Sequence, residues 1–138
     1  MKDYPKDLKI VFKQQPLPFH KDARPAAKAS LAAHKQGKFW EYHDVLFENM
    51  KKLKQDDLEG YAKGLKLNMK KFKKDMADAS LEEQIKRDQA LAAKIGARGT
   101  PTSFVNGYMV RGAQPVAAFK KIIDREIAKA KGAKGKKK

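Results

Sequence analysis

At residues 103–110 an Asn-Gly pair stands between two short apolar runs: Ser103-Phe104-Val105, then Asn106-Gly107, then Tyr108-Met109-Val110. No other feature restricts the fold of this chain so tightly. A two-residue connection between antiparallel strands needs a primed turn. Type I′ demands positive φ at both central residues, and Asn-Gly accepts that backbone at the least steric cost. A β-hairpin is therefore predicted here. A helix is predicted directly after it, opening at Pro115 and carrying Val116, Phe119, Ile122, Ile123 and Ile127 on one stripe.

Upstream the periodicity is mainly helical. Lys9-Ile10-Val11-Phe12-Lys13 is a short β-branched run closed by Pro16 and Pro18, which reads as a buried strand with an extended exit. Helical signals then extend from Asp22 to Met76. Ala26, Ala27, Ala29, Ala32 and Ala33 make a high-propensity helix with Gly37 as its cap. Phe39, Trp40, Tyr42, His43, Leu46, Phe47 and Met50 recur at helical spacing, and an aromatic stripe of that kind is expected in the core rather than around a cofactor. Shorter helices are expected over Asp57–Lys63 and Met69–Met76, the second capped by Asn68. Ser80-Leu81-Glu82-Glu83 has capping-box spacing and opens a helix that ends at Gly96. The element order is strand, helical block, hairpin, helix.

Composition removes several chemistries. With no cysteine in 138 residues there is no disulfide, no thiol nucleophile and no thiolate-ligated metal. No apolar run reaches the roughly 18 residues of a membrane span, and Met1-Lys2-Asp3-Tyr4-Pro5 lacks the apolar stretch of a secretory signal. As written, the chain is expected to be cytoplasmic. The net charge is +16, and residues 129–138 hold six lysines and no acid. Setting those six aside leaves 26 basic residues against 16 acidic, +10, so the body of the chain is basic too. Such a field favours weak, salt-sensitive attraction to nucleic acid. The same lysines also serve as a solvated surface with a basic disordered tail over 129–138.

The stretches KIVFKQQPLPFHKDARPAAKASLAAHKQGKFWEYHDVLFENM and AAKIGARGTPTSFVNGYMVRGAQPVAAFKKIIDREI, in that order, resemble the DsbA-like branch of the thioredoxin superfamily, a family of thiol:disulfide oxidoreductases. The first resembles the strand after the active-site helix running into the family's helical insertion. The second resembles its cis-proline loop, closing hairpin and final helix. The resemblance implies an α/β, thioredoxin-like (DsbA-type) fold over residues 1–128, with a helical insertion over about 22–96 and a C-terminal β-hairpin and helix. In that family a first strand and a Cys-x-x-Cys helix precede the string that begins here at Asp3. The chain as written has neither, so it is expected to be redox-inactive alone.

Without that strand the sheet is expected to have about three strands, at 8–14, 102–106 and 108–111, with Lys9, Ile10, Val11 and Phe12 as an edge open to pairing. A homodimer, or a protein partner that donates a strand, would complete it. A longer native product with an upstream Cys-x-x-Cys segment is the other expectation, and relatives are often exported. In the family the residue before the cis-proline offers its backbone to an extended peptide. Gly99, Thr100, Pro101 and Thr102 are therefore the implied peptide-facing loop. The alternative is that Pro101 only ends the preceding loop and shapes the hairpin.

Other chemistry finds little support. His34 and His43 are nine residues apart with Gly37 between them, and His20 lies in the Pro-Phe-His string, so no metal site is expected. Glu41 and Asp44 flank His43 without any sign of a substrate pocket. Ser30, Ser80 and Ser103 occur in no nucleophile or phosphate motif. No cofactor and no membrane contact are expected. Two functions remain: a DsbA-like peptide-binding or assembly module, and a basic nucleic-acid-associated protein.

Overall fold

A computed structural model describes residues 3–135, with side chains to residue 132. The chain divides into two compact units: Lys13–Ile95, and the N-terminal segment to Phe12 together with the part from Gly96 onward.

The Lys13–Ile95 unit is helical. Its elements are α1 (Ala23–His34), α2 (Phe39–Glu48), α3 (Gln55–Gly64), α4 (Met69–Met76) and α5 (Ala79–Lys94). Helix α1 touches all four others, and its sequence explains how. Ala29, Ala32 and Ala33 are fully buried, and Ala26, Ala27, Ser30 and Leu31 nearly so. Small side chains let neighbouring helices approach on several sides without steric cost, while alanine keeps helix propensity high. Leu58, Phe72, Leu81 and Ile85 fill the spaces around it. Gly37, at φ +73°, lets the chain turn out of α1. The Asn68 carboxamide oxygen accepts from the Lys71 N–H at 2.9 Å and caps α4.

Two sequence expectations are corrected in this unit. Helix α5 is capped by Asp78, not Ser80: the Asp78 carboxylate accepts from the Ser80 N–H at 2.8 Å. A charged oxygen at a helix N-terminus also favours the macrodipole, and Lys35 holds the same carboxylate at 2.7 Å. The aromatic stripe of α2 is core only in part. Tyr42 is fully buried and donates to the Leu58 carbonyl at 2.8 Å, whereas Trp40, Phe47 and Met50 are exposed. At 100° per residue the stripe is too wide for one face, and Tyr42 with Leu46 takes the inward side.

Acidic groups bind α1 to α4 and α5. Arg24 and Lys28 both pair with Glu82, and Lys35 pairs with Asp75 and Asp78. The Arg24 and Lys28 hydrogen bonds hold the Glu82 carboxyl at about 2, below its ordinary 4.5. Asp75, through Lys71 and Lys35, and Asp78, through Lys35 and the Ser80 N–H, are lowered as well. A depressed carboxylate stabilises the fold fully above its ordinary pKa and loses that contribution as pH falls through the folded value. Helicity is therefore expected to fall on acidification from about pH 5 toward 2. In E82Q the step is expected to be smaller, as followed by circular dichroism. An identical acid profile for E82Q would remove these pairs from the explanation.

The second unit holds β1 (Thr102–Val105), β2 (Tyr108–Arg111) and α6 (Val116–Gly135). The strands pair antiparallel with Thr102 opposite Arg111 and Val105 opposite Tyr108. Asn106 and Gly107 stand at φ 46° and 91°, the backbone of a type I′ turn. One face of the hairpin packs on α6: Val110 and Ile123 are buried, and Arg125 lies 4.0 Å from the centroid of the Tyr108 ring. The N-terminal segment is tied to α6 by Tyr4, whose hydroxyl donates to Asp124 at 2.7 Å, and by a Lys120–Asp3 ion pair.

The expected three-strand sheet is corrected to two. Lys9, Ile10, Val11 and Phe12 are coil, and the sheet among the described residues has the order β1-β2. A strand exists by the hydrogen bonds of its neighbour. The hairpin meets that need locally, through a two-residue turn, and residues 9–12 join no ladder in it. The tail expectation changes as well. Helix α6 continues to Gly135, because alternating Ala and Lys are strong helix formers. Lys136, Lys137 and Lys138 lie outside the described residues. Val116, placed on the apolar stripe by spacing, is exposed at the first turn of α6.

Candidate functional site

The groove of the second unit opens where the chain leaves Gly96 and enters β1. It measures about 490 Å3 and is lined by Gly96, Arg98, Gly99, Thr100, Pro101, Thr102, Arg111 and Gly112. The peptide-facing residues named from sequence, Gly99 to Thr102, therefore lie together on its wall. The Thr100–Pro101 peptide bond is cis. The loop is braced from within, as the Thr102 hydroxyl donates to the Gly99 carbonyl at 2.6 Å. The Gly112 N–H donates to the Pro101 carbonyl at 2.9 Å.

That last bond fixes which backbone groups of β1 face outward. Hydrogen-bonded and non-hydrogen-bonded pairs alternate along an antiparallel ladder. With Pro101 bonded to Gly112, the Thr102–Arg111 pair is a non-hydrogen-bonded one, and so is Phe104–Met109. The N–H and C=O groups of Thr102 and Phe104 consequently point away from β2. The groove wall thus runs into a strand edge with two outward donor–acceptor sets at alternate residues.

Sequence reasoning did not single out Arg98 and Arg111 as part of the groove. The signal for Arg111 was available: counting outward from the Asn106-Gly107 turn places it opposite Thr102. Arg98 lies in an irregular loop whose path no local pattern reveals. The other predicted edge, Lys9, Ile10, Val11 and Phe12, is not on the groove. Its Ile10 and Val11 are 48% and 65% exposed, so an apolar run read as buried strand stays at the surface.

Among the described residues no three or more potential metal ligands cluster, and no helix is long and apolar enough to cross a membrane. His43 contacts Asp44 at 2.9 Å and stacks near Phe47, centroids 4.5 Å apart. That arrangement sits on α2 beside the exposed Trp40 and Phe47.

The helical unit, the hairpin with its closing helix and the groove at Thr100–Pro101 define a thioredoxin-type domain of the DsbA kind. A family profile described as "DSBA-like thioredoxin domain" matches residues 2–124. The chain belongs to that family. It is similar to a Na(+)/H(+) antiporter NhaA of Herminiimonas arsenicoxydans, 40% identical over 77% of this chain and 17% of the antiporter. It is also similar to the probable disulfide bond formation protein D of Bacillus cereus, 33% identical over 79% of this chain and 54% of that protein. The chain therefore spans about a sixth of the antiporter and about half of the Bacillus protein. Among solved structures it resembles a thioredoxin-like oxidoreductase from Silicibacter pomeroyi DSS-3, with TM-score 0.78 and 27% identity, covering 86% of this chain and 68% of that one. It also resembles the oxidoreductase DsbA from Xylella fastidiosa, with TM-score 0.68 and 25% identity over 91% and 74% of the two chains. Cysteine is absent from this sequence, and thiol–disulfide exchange requires an attacking thiolate.

Proposed function

We propose that this chain works as a peptide-docking domain of the DsbA-like family, holding an extended polypeptide by backbone pairing while contributing no thiol of its own. The observation that carries the reading is the continuity of the groove at Gly99–Thr102 with the outward backbone groups of Thr102 and Phe104. An extended segment lying there would gain main-chain hydrogen bonds as an added strand, a mode of recognition that needs no nucleophile. The name of the Bacillus relative speaks of disulfide bond formation. Holding a client chain is the share of such work that a domain without cysteine can perform.

The same edge would accept a strand from a protein partner. A second copy of the chain is the less favourable donor, because two molecules of net charge +16 repel each other.

The test is hydrogen exchange on the isotopically labelled chain with a neutral Val-Gln repeat peptide. The peptide is expected to slow exchange at the Thr102 and Phe104 amides and to leave β2 amides unchanged. In T102P the outward N–H is gone, together with the hydroxyl that braces Gly99, while the β1–β2 bonds remain, since edge strands tolerate proline. T102V, which loses the hydroxyl and keeps the N–H, is the control and should bind like the parent. Affinity should fall by about tenfold or more in T102P. Unchanged exchange at both amides, or equal affinity in T102P with the hairpin intact, overturns the reading.

A further inference from the structure

The groove carries two arginines and no carboxylate among its eight lining residues. Several basic side chains elsewhere meet acids, among them Lys13 with Asp88, Arg24 with Glu82, Lys73 with Glu59 and Arg125 with Glu126. Arg98 and Arg111 pair with no carboxylate among the described residues. Arg111 turns its Nε toward the Met109 sulfur at 3.0 Å, which leaves its two terminal nitrogens for another acceptor. The net charge alone would make any anion welcome. What distinguishes the groove is that two planar guanidinium forks, which match carboxylates in two-point geometry, stand beside a strand edge.

The register links the two features. Arg111 and Thr102 are cross-strand partners, so their side chains lie on the same face of the hairpin. Side chains of a strand added along β1 alternate between faces, and every second one falls on the face of Arg111. Single-stranded nucleic acid is the other polyanion to weigh. It is held by aromatic stacking platforms beside basic grooves, and the groove lining contains no aromatic residue. Three glycines, Gly96, Gly99 and Gly112, instead leave backbone accessible on its wall.

We propose that the polypeptide bound at the Thr100–Pro101 groove is acidic, an extended segment with Asp or Glu at alternate positions facing Arg98 and Arg111. This rests on the peptide-docking reading above and names its ligand class.

The experiment compares labelled Val-Glu and Val-Gln repeat peptides by fluorescence anisotropy on the parent chain, R98Q/R111Q and T102P, at low and moderate salt. On the parent the Val-Glu peptide is expected to bind about tenfold tighter or better. In R98Q/R111Q that advantage should shrink to about twofold or less, because the two guanidinium forks that match carboxylates are gone. T102P should weaken both peptides. Equal binding of the two peptides to the parent overturns the acidic assignment and leaves the docking reading standing. An advantage that survives R98Q/R111Q assigns the preference to the general positive field and likewise overturns it. If neither peptide protects the Thr102 and Phe104 amides, the docking reading itself fails. A single-stranded oligonucleotide that binds tighter than Val-Glu, and through the same two arginines, would replace the peptide by nucleic acid.

Discussion

Replacing Phe72 with alanine is expected to destabilise the helical unit by about 3–5 kcal/mol, the range for removing a fully buried aromatic ring. Phe72 has no exposed surface, and its ring lies 5.9 Å from that of Tyr42, itself fully buried. Helix α4 has only eight residues, too short to persist by its own hydrogen bonds, so packing of its apolar face keeps it folded. Phe72 is the largest group on that face. Its removal would leave a cavity beside Tyr42, and most of the buried side chains of α1 are alanines too short to fill it. Urea unfolding followed by fluorescence of Trp40, the single tryptophan of the chain, reads this unit directly because Trp40 lies on α2. The midpoint should drop with little change in slope, as for a loss of stability without a change in the surface exposed. Phe19→Ala is the matching control: that ring is 72% exposed, and the expected change is within about 0.5 kcal/mol. A loss below about 1 kcal/mol in the Phe72 variant would mean that the helices close over the space, contrary to this account of the core.

The second large effect is expected at Asp88. This carboxylate is 5% exposed on α5 and accepts from the Gln14 N–H at 2.9 Å and from Lys13 Nζ at 3.0 Å. Gln14 is buried too, and its side-chain amide donates to the Ser30 hydroxyl at 2.8 Å, which in turn donates to the Ala27 carbonyl. A short polar seam thereby fastens the entering chain to α1 and α5 with every member bonded. Asp88→Ala strands the Gln14 N–H without an acceptor, and a buried unmet donor costs about 1–3 kcal/mol. Lys13 contributes little to that cost, since its side chain is 55% exposed and rehydrates when released. Asp88→Asn keeps an oxygen in place and should lose less than half as much. Equal losses for the two variants would show that charge, rather than acceptance from Gln14, carries the seam.

The expected loss is large because the seam is non-local. Asp88 and Gln14 are 74 positions apart in the chain, and nothing in their neighbourhoods in the sequence marks them. The Ala26–Ala33 stripe, the Asn68 cap and the Asn-Gly turn are different in kind. Each expresses a preference of a few adjacent residues, and the structure places α1, α4 and the hairpin accordingly. Where two local signals competed, local reading chose wrongly. Ser80 fits a capping box, yet Asp78 takes the N-cap with a charged oxygen that Lys35, 43 positions away, also holds. Trp40 and Phe47 fit an inward stripe, yet Tyr42 takes the core, where its hydroxyl reaches the Leu58 carbonyl.

The candidate site divides along the same line. Gly99, Thr100, Pro101 and Thr102 were legible from their string and its resemblance to the DsbA-like family. Arg98 and Arg111 became part of the site only once the loop was seen to fold against the hairpin end. Lys9 to Phe12 shows the reverse case, a run with every local mark of a strand that forms none.

What this sequence determined by itself is what short-range sterics and propensity determine: the helices, the type I′ turn and with it the register of β1 against β2. What only the tertiary structure decided is which residues meet across the chain: the Asp88–Gln14–Ser30 seam, the inward face of α2 and the arginine-lined groove. The reason is that a turn or cap is specified by energies within a few residues, whereas burial and strand pairing depend on a partner that the local sequence does not contain.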